Sequence, residues 1–265
     1  MDFKGKNILV TGGGGFGVGA GICEVLSHNG AIVILNELKL EDAVKAAKNY
    51  PNAIPVAADI RNEEEVNAMF REISNKVGIV HGLVNNAGVG LSKLAHEATG
   101  DEFSRLYDTD VKGVWQVSKA FVKQLLAAPQ PGNIVNISSV HVNSTISKYA
   151  LYASCKSAVE GLTKGMSVEL GPHNIRVNAV GPGYVHSDQN YALIGSWAED
   201  PKQWVEDLKT DQQVLFFDID PVDCGNVVAF LLSDLSRAVT GQTIYADNGS
   251  INLLYNRSFT EKKTK

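Results

Sequence analysis

Asn7-Ile8-Leu9-Val10-Thr11-Gly12-Gly13-Gly14-Gly15-Phe16-Gly17-Val18-Gly19 is an apolar run that stops in a glycine-rich turn. Val18, Ile22, Val25 and Leu26 then recur at helical spacing, and Gly30 closes the segment. The stretch therefore reads as strand, turn and helix. Glycines at such a junction let backbone N–H groups approach a pyrophosphate, and the helix N-terminus adds a favourable dipole. A glycine-rich loop that binds nothing is the plainer alternative, and the residues further along the chain weigh against it.

Outward from this unit, apolar strands alternate with amphipathic helices. Strands are expected at 31–35, 54–58, 80–84, 133–137, 175–180 and 243–246, and helices at 40–48, 63–76, 101–127, 149–170 and 222–232. Strands apolar on both faces and joined by helices form a parallel sheet covered on both sides. The expected fold is α/β: a Rossmann-like, doubly wound parallel sheet of seven strands in three α/β/α layers. Residues 1–265 read as one domain, with a substrate lid at about 188–217 and a C-terminal tail at about 250–265. In such sheets ligands bind at the C-terminal ends of the strands. The polar punctuation falls there, at Gly12, Glu37, Asp59, Asn85 to Gly88, Ser139, Pro182 and Gly183.

Composition narrows the classes. The chain has 265 residues, 44% hydrophobic, and a net charge of −5. An acidic balance argues against a general nucleic-acid binder, which needs a basic face to neutralise phosphates. Lys262, Lys263 and Lys265 read as a solvated tail. Cys23, Cys155 and Cys224 show neither metal-site nor disulfide spacing, which fits a reducing compartment and no bound metal. No apolar run is long enough for a membrane span or a signal peptide. The expectation is a cytoplasmic protein without membrane or nucleic-acid partners.

Two further patterns carry chemistry. Tyr152 and Lys156 stand four residues apart on one helix face, and Ser139 lies thirteen residues before Tyr152. An ammonium near a phenol favours the phenolate and draws a Tyr pKa down from about 10 toward neutral. Such a Tyr is suited to acid/base work in alcohol–carbonyl chemistry. Glu37 follows Gly17 by twenty residues, at the end of the second strand. A carboxylate there accepts hydrogen bonds from ribose hydroxyls and repels a 2′-phosphate. Phe16 brings no positive charge, so NAD is favoured over NADP. A methyltransferase can use the same N-terminal quarter, since it too places a carboxylate after its second strand.

The glycine turn, Asn85-Asn86-Ala87-Gly88, Ser139, Tyr152-x-x-x-Lys156 and Pro182-Gly183, in this order, resemble the short-chain dehydrogenase/reductase family in its compact single-domain form. The likeness runs from about Lys6 to Asn248. A methyltransferase has no use for the later motifs. The resemblance implies that Gly12, Gly17, Val18 and Gly19 line the pyrophosphate and that Glu37 holds the adenosine ribose. It implies Asp59 and the Ile60 backbone at adenine, and Asn86, Ala87 and Gly88 along the cofactor. Pro182 and Gly183 would also border the cofactor, with the Val185 backbone and Ser187 at its carboxamide. Tyr152 would be the acid/base, Lys156 would also hold the nicotinamide ribose, and Ser139 would bind the substrate oxygen. The family further implies a homo-oligomer, a tetramer favoured over a dimer, joined through helices 101–127 and 149–170. Val114, Val117, Phe121 and Val122 cannot all face one sheet, which is consistent with such an interface.

The chain departs from the family pattern in four places. The glycine turn carries one extra residue, so a local bulge is expected. Asp110 stands where the family usually has Asn, a residue that holds a water in a proton relay. Asp110 is counted here with the catalytic set as a working substitute. Asp247-Asn248-Gly249 replaces a common Asp-Gly-Gly. Residues 188–217 form a long insertion holding Trp197, Trp204, Phe216 and Phe217, read as one or two lid helices. From 177 to 236 there is no Arg, which disfavours a strongly anionic substrate. Ser139, His141, Asn143, Tyr152, Tyr184, His186, Asn190 and Trp197 are the expected substrate contacts. Their hydrogen-bonding groups suit a sugar or polyol, whereas the lid aromatics suit an apolar ketone. The expected activity is reversible hydride transfer between a secondary alcohol and NAD, giving a ketone or lactone. Rival readings are an NADH-dependent reductase of an apolar ketone, an NADP-dependent reductase of fatty-acid synthesis, which Glu37 disfavours, and a nucleotide-sensing binding protein.

Overall fold

The computed structural model describes residues 1–187, 190–191, 194–195 and 197–255. Its centre is a seven-stranded parallel sheet: β1 (Asn7–Thr11), β2 (Ile32–Glu37), β3 (Ile54–Ala57), β4 (Gly82–Asn85), β5 (Gly132–Ile137), β6 (Ile175–Pro182) and β7 (Thr243–Ala246). The spatial order is β3-β2-β1-β4-β5-β6-β7. Strand order reverses between β1 and β4, which opens a crevice at their C-terminal ends. Successive residues point to opposite faces. Ile8, Val10, Val33, Leu35, Val135 and Val180 pack under α1 (Val18–His28), α2 (Leu40–Ala47) and α8 (Pro221–Leu232). Leu9, Ile34, Leu83, Ile134 and Val177 pack under α3 (Glu63–Val77), α5 (Val114–Ala127) and α6 (Ala150–Leu170). The doubly wound reading holds, and β1, β2 and β6 run further than expected because Thr11, Asn36, Glu37 and Pro182 continue their ladders despite ending the apolar pattern.

The helix expected at 101–127 is not uniform. Thr99 and Glu102 form a capping box that starts α4 (Gly100–Tyr107). A widened, π-type turn follows at Asp108–Gly113, and α5 continues from it. Such turns mark functional positions, and apolar periodicity does not reveal one extra residue per turn. A Cβ on Gly113 would lie 2.7 Å from Ile60 Cδ1, so the glycine lets this turn sit against Ile60. The expectation that Val114, Val117, Phe121 and Val122 reach an interface is corrected. Val114, Val117 and Phe121 are buried within the chain and Val122 packs against the same core. α5 is wedged between the sheet and α3, so a wider apolar arc is buried than one sheet alone would cover. The apolar side chains that α5 does expose are Trp115 and Leu126.

α1 and α8 meet through glycines. A Cβ on Gly21 would collide with the Pro221 backbone, and one on Gly225 would lie 2.5 Å from Gly21 O. In the region read as a lid, α7 (Pro201–Gln212) starts at Asp200, whose carboxylate accepts from the Lys202 and Gln203 amides. Residues 188–189, 192–193 and 196 of that region lie outside the described residues, as do 256–265 of the tail with its lysines. Among the described residues, no helix is long and apolar enough to cross a membrane.

Candidate functional site

The glycine turn is tied to the end of β4. Gly12 has φ +64°, and a Cβ there would lie 2.8 Å from Ala87 Cα. Glycine is needed for both reasons. A Cβ on Gly19 would run into Gly12 O and Asn86 Nδ2. Asn86 Nδ2 donates to Thr11 O (3.0 Å) and Gly12 O (2.8 Å), and the Asn86 and Ala87 amides both donate to Thr11 Oγ1 at 3.1 Å. α1 begins after Gly17 with Val18, without a side-chain cap or an acid in its first turn. Its N–H groups therefore face the crevice with their positive end free, an arrangement that fits a dinucleotide pyrophosphate.

Glu37 does more than the sequence indicated. Its Oε1 accepts the Gly14 amide at 2.6 Å, so the extra residue of the turn is folded back onto the end of β2. Asp59 is gripped by Arg61, which sequence reading missed. Nε and Nη2 of Arg61 reach the carboxylate at 2.6–3.0 Å. That hydrogen bond leads the causes holding the Asp59 carboxyl below its usual range. Ile60 is buried, its carbonyl accepting from Gln116 Nε2 at 2.7 Å. The side-chain helix cap nearby is Asn62; Asp59 joins that turn through its backbone, its carbonyl accepting the Asn62 amide at 2.9 Å. Pro182 ends β6, and Gly183 passes so close to Asp247 that a Cβ would lie 2.9 Å from its Cα.

Four side chains converge below this crevice from separate elements. Tyr152 and Lys156 lie on α6, Ser139 opens the turn after β5, and Asp110 comes from the widened turn. Lys156 Nζ donates to Ile137 O at 3.2 Å and lies 3.0 Å from Asp110 Oδ2. That second contact is an ion pair by distance, but Oδ2 has no directed hydrogen-bond donor. Asp110 is wholly buried, and Oδ1 accepts the Val89 amide at 2.7 Å. Gly88 leaves room for it, since a Cβ there would lie 2.8 Å from Oδ2. Nζ stands 5.6 Å from the Tyr152 ring centre.

The expected lowering of the Tyr152 pKa is corrected. Burial raises it, Lys156 lowers it, Asp110 raises it again and the Ser139 hydroxyl lowers it, leaving the phenol above its ordinary value. Spacing alone put the ammonium beside the phenol; it could not supply the desolvation or the carboxylate. Burial disfavours the Lys156 ammonium, yet Tyr152 and Asp110 outweigh it and its pKa is raised. Cys155 packs as a buried thiol, pushed up to about 12 by desolvation.

On the substrate side, His141 stacks on Tyr149 (4.7 Å, 5°), and both meet Tyr152 edge-on at 5.6 and 5.9 Å. Tyr149 was not singled out from sequence. His141 Nδ1 contacts Thr145 Oγ1 at 3.0 Å, and burial lowers its pKa. Tyr184 OH and His186 Nδ1 are buried without a hydrogen-bond partner among the described residues. Burial pushes the Tyr184 phenol up to about 12. Tyr184 and Trp197 both pack edgewise on Trp204 of α7, at 6.0 and 6.3 Å. Two expected contacts are committed elsewhere. Asn190 Nδ2 donates to Val185 O (2.7 Å) and its amide to Ser187 Oγ (3.2 Å), which ties this loop together. The Asn143 side chain hydrogen-bonds toward Tyr245, whose OH donates to buried Glu160, as does Ser138. Ser138 is thus occupied, which separates it from Ser139.

A family model described as enoyl-(acyl carrier protein) reductase matches residues 14–250. The chain is 36% identical to L-xylulose reductase of Homo sapiens over 245 residues, covering 92% of this chain and 96% of that one. The carbonyl reductase [NADPH] 2 of Sus scrofa is 35% identical over 249 residues, 94% and 98% of the two chains. The chain belongs to the short-chain dehydrogenase/reductase family. Among solved members, a gluconate 5-dehydrogenase from Burkholderia cenocepacia J2315, in complex with NADP and tartrate, superposes with a TM-score of 0.86 at 27% identity, over 96% of this chain and 98% of that one. This short-chain dehydrogenase/reductase is accordingly an oxidoreductase with a Rossmann-type nucleotide-binding fold.

Proposed function

We propose that this short-chain dehydrogenase/reductase is an NAD-dependent enzyme that interconverts a secondary alcohol of a sugar or polyol with its ketone or lactone. The reading rests on one observation: Ser139, Tyr152 and Lys156 converge beside the glycine turn at the strand-order switch. The cofactor, when bound, accepts or supplies the hydride. The chain's own residues hold and move the proton. The Ser139 hydroxyl positions the substrate oxygen, and Tyr152 exchanges a proton with it. Lys156 holds the nicotinamide ribose and tempers the cost of charging Tyr152. Gly12, Gly17, Val18 and Gly19 line the pyrophosphate, with Asn86, Ala87, Gly88, Asp59 and Ile60 along the adenosine side. Pro182, Gly183, Val185 and Ser187 frame the carboxamide.

Glu37 supports NAD over NADP, because a carboxylate at the end of β2 would repel a 2′-phosphate. That preference runs against relatives whose names carry NADPH or whose structures hold NADP. The unpartnered Tyr184 OH and His186 Nδ1, with His141, favour a hydroxylated substrate, and relatives named for sugars and sugar acids support it. Residues 188–217 act as the lid over a chain that works as one nucleotide-binding domain. Three free, buried thiols suit a cytoplasmic setting. The assembly is a homotetramer.

The test is turnover of sugars, polyols and apolar secondary alcohols with NAD and NADP, beside Tyr152→Phe. The variant is expected to lose at least about a hundredfold in kcat and still quench and shift NADH fluorescence on binding. Near-normal turnover by Tyr152→Phe would refute the tyrosine assignment. Activity confined to apolar ketones would move the substrate reading to that class.

A further inference from the structure

Asp110 is the feature that the proposed chemistry leaves without a use. It is a wholly buried carboxylate whose Oδ2 faces the buried Lys156 ammonium at 3.0 Å. The widened turn carries it there, the Val89 amide fixes its other oxygen, and Gly88 makes the space. We propose that Asp110 is a positioning residue that neutralises Lys156, so that Tyr152 rests as a neutral phenol and the site is set to give a proton to a carbonyl at neutral pH.

The net charge enclosed in this cluster decides which state of Tyr152 is favoured. With Asp110 and Lys156 paired, the cluster is neutral while Tyr152 keeps its proton. Ionising Tyr152 leaves one net negative charge in a poorly solvated site. With a neutral group at 110 the count changes. The same ionisation then converts a net positive cluster into a neutral phenolate–ammonium pair, which burial penalises far less. Other groups facing the cluster do not reverse this. From the turn after β4, the Val89 backbone bonds Asp110 and Gly88 packs on it. From β5 comes the Ile137 carbonyl. The segment after β5 supplies the Ser139 hydroxyl and His141, whose imidazole burial holds below its usual range and so neutral. The residue before α6 supplies the Tyr149 ring, and α6 supplies the Cys155 thiol, whose pKa burial raises. Lys156 is the cation acting on Tyr152 among the described residues.

Carbonyl reduction takes a hydride at carbon from the reduced nicotinamide and the Tyr152 proton at oxygen. The phenolate then regains a proton from solvent. Oxidation runs the reverse and needs Tyr152 ionised beforehand. The equilibrium is untouched; Asp110 sets the pH at which each direction is fast. Reduction should stay level through neutral pH. Oxidation should climb about tenfold per pH unit up to the ionisation of Tyr152.

This inference rests on the reading of Tyr152 as acid/base, and the experiment separates the two. Tyrosinate absorbance is titrated in the protein without added cofactor. Subtracting the Tyr152→Phe curve isolates Tyr152, and the same is done in an Asp110→Asn background. Asp110→Asn is expected to lower the Tyr152 midpoint by about one pH unit. It should move the rise of the oxidation kcat/KM the same distance toward acid, while NADH affinity stays within about threefold. A midpoint that stays put or rises in Asp110→Asn overturns the proposal. An active Tyr152→Phe would instead remove the reading beneath it. Should Asp110→Asn fail to fold, the unaltered protein still decides. Oxidation climbing from about pH 7 to about pH 9 supports the proposal, and a plateau by about pH 8 overturns it.

Discussion

At the level of single residues, the site depends on which neighbours share a side chain's charge. Glu37 is the clearest case. One oxygen holds the Gly14 amide, so the residue shapes the glycine turn as well as facing the ribose position. Glu37→Ala is expected to remove the repulsion of a 2′-phosphate and to loosen the turn together. The ratio of kcat/KM for NAD over NADP should fall at least about tenfold, chiefly through a weaker NAD site. Steady-state kinetics with both cofactors checks this, and an unchanged ratio would place the discrimination elsewhere. Arg61 deserves comparison with Glu37. It is a cation at the end of β3, but Asp59 occupies it with short bidentate contacts. It is therefore poorly placed to offset the Glu37 carboxylate.

Elements bring these residues together through close backbone approaches. The widened turn between α4 and α5 swings Asp110 inward while its glycine rests on Ile60. The crossing of α1 and α8 sets the height of the glycine turn above the sheet. There Gly21 lies against the Pro221 backbone and Gly225 against Gly21. Neither backbone segment can give way as the tip of a long side chain can. Gly21→Val should therefore overpack this contact and cost about 3 kcal/mol of stability. Urea unfolding, read by circular dichroism, measures it. A loss below about 0.5 kcal/mol would mean that the two helices separate at little cost.

For the molecule as a whole, the proposed assembly can be tested at an exposed, partly apolar surface. Tyr107, Val111, Trp115, Ala158 and Leu162, with the Asp108–Lys112 ion pair, line a groove of about 500 Å³ between the turn, α5 and α6. Trp115 is 43% exposed and Phe103 nearby is 42% exposed. Large aromatic side chains left at such a surface are typical of buried interface centres. Under the proposed homotetramer, Trp115→Glu places an unpaired charge in that centre. It is expected to reduce the sedimenting mass to that of dimer or monomer, with the fold kept by circular dichroism. An unchanged mass would move the interface off these helices.

The sequence by itself determined the sheet, its doubly wound order of elements and the family. Apolar strands, helical periodicity and glycine turns are local patterns, and the Tyr152/Lys156 spacing is fixed by helix geometry. The strand end offered Ser138 and Ser139 alike, and the choice of Ser139 rested on its spacing to Tyr152. Only the tertiary structure decided the electrostatics of the site. Asp110 reaches Lys156 from a turn that no periodicity announces, and desolvation from several elements raises the Tyr152 pKa against the pull of Lys156. Tyr149, Arg61 and Glu160 were missed because their partners are set by how the elements pack. The inward burial of Val114, Val117 and Phe121 was likewise decided by α3 and the sheet closing on α5 from two sides. Local spacing fixes which side chains share an element. The charge and solvent around them come from elements distant in sequence.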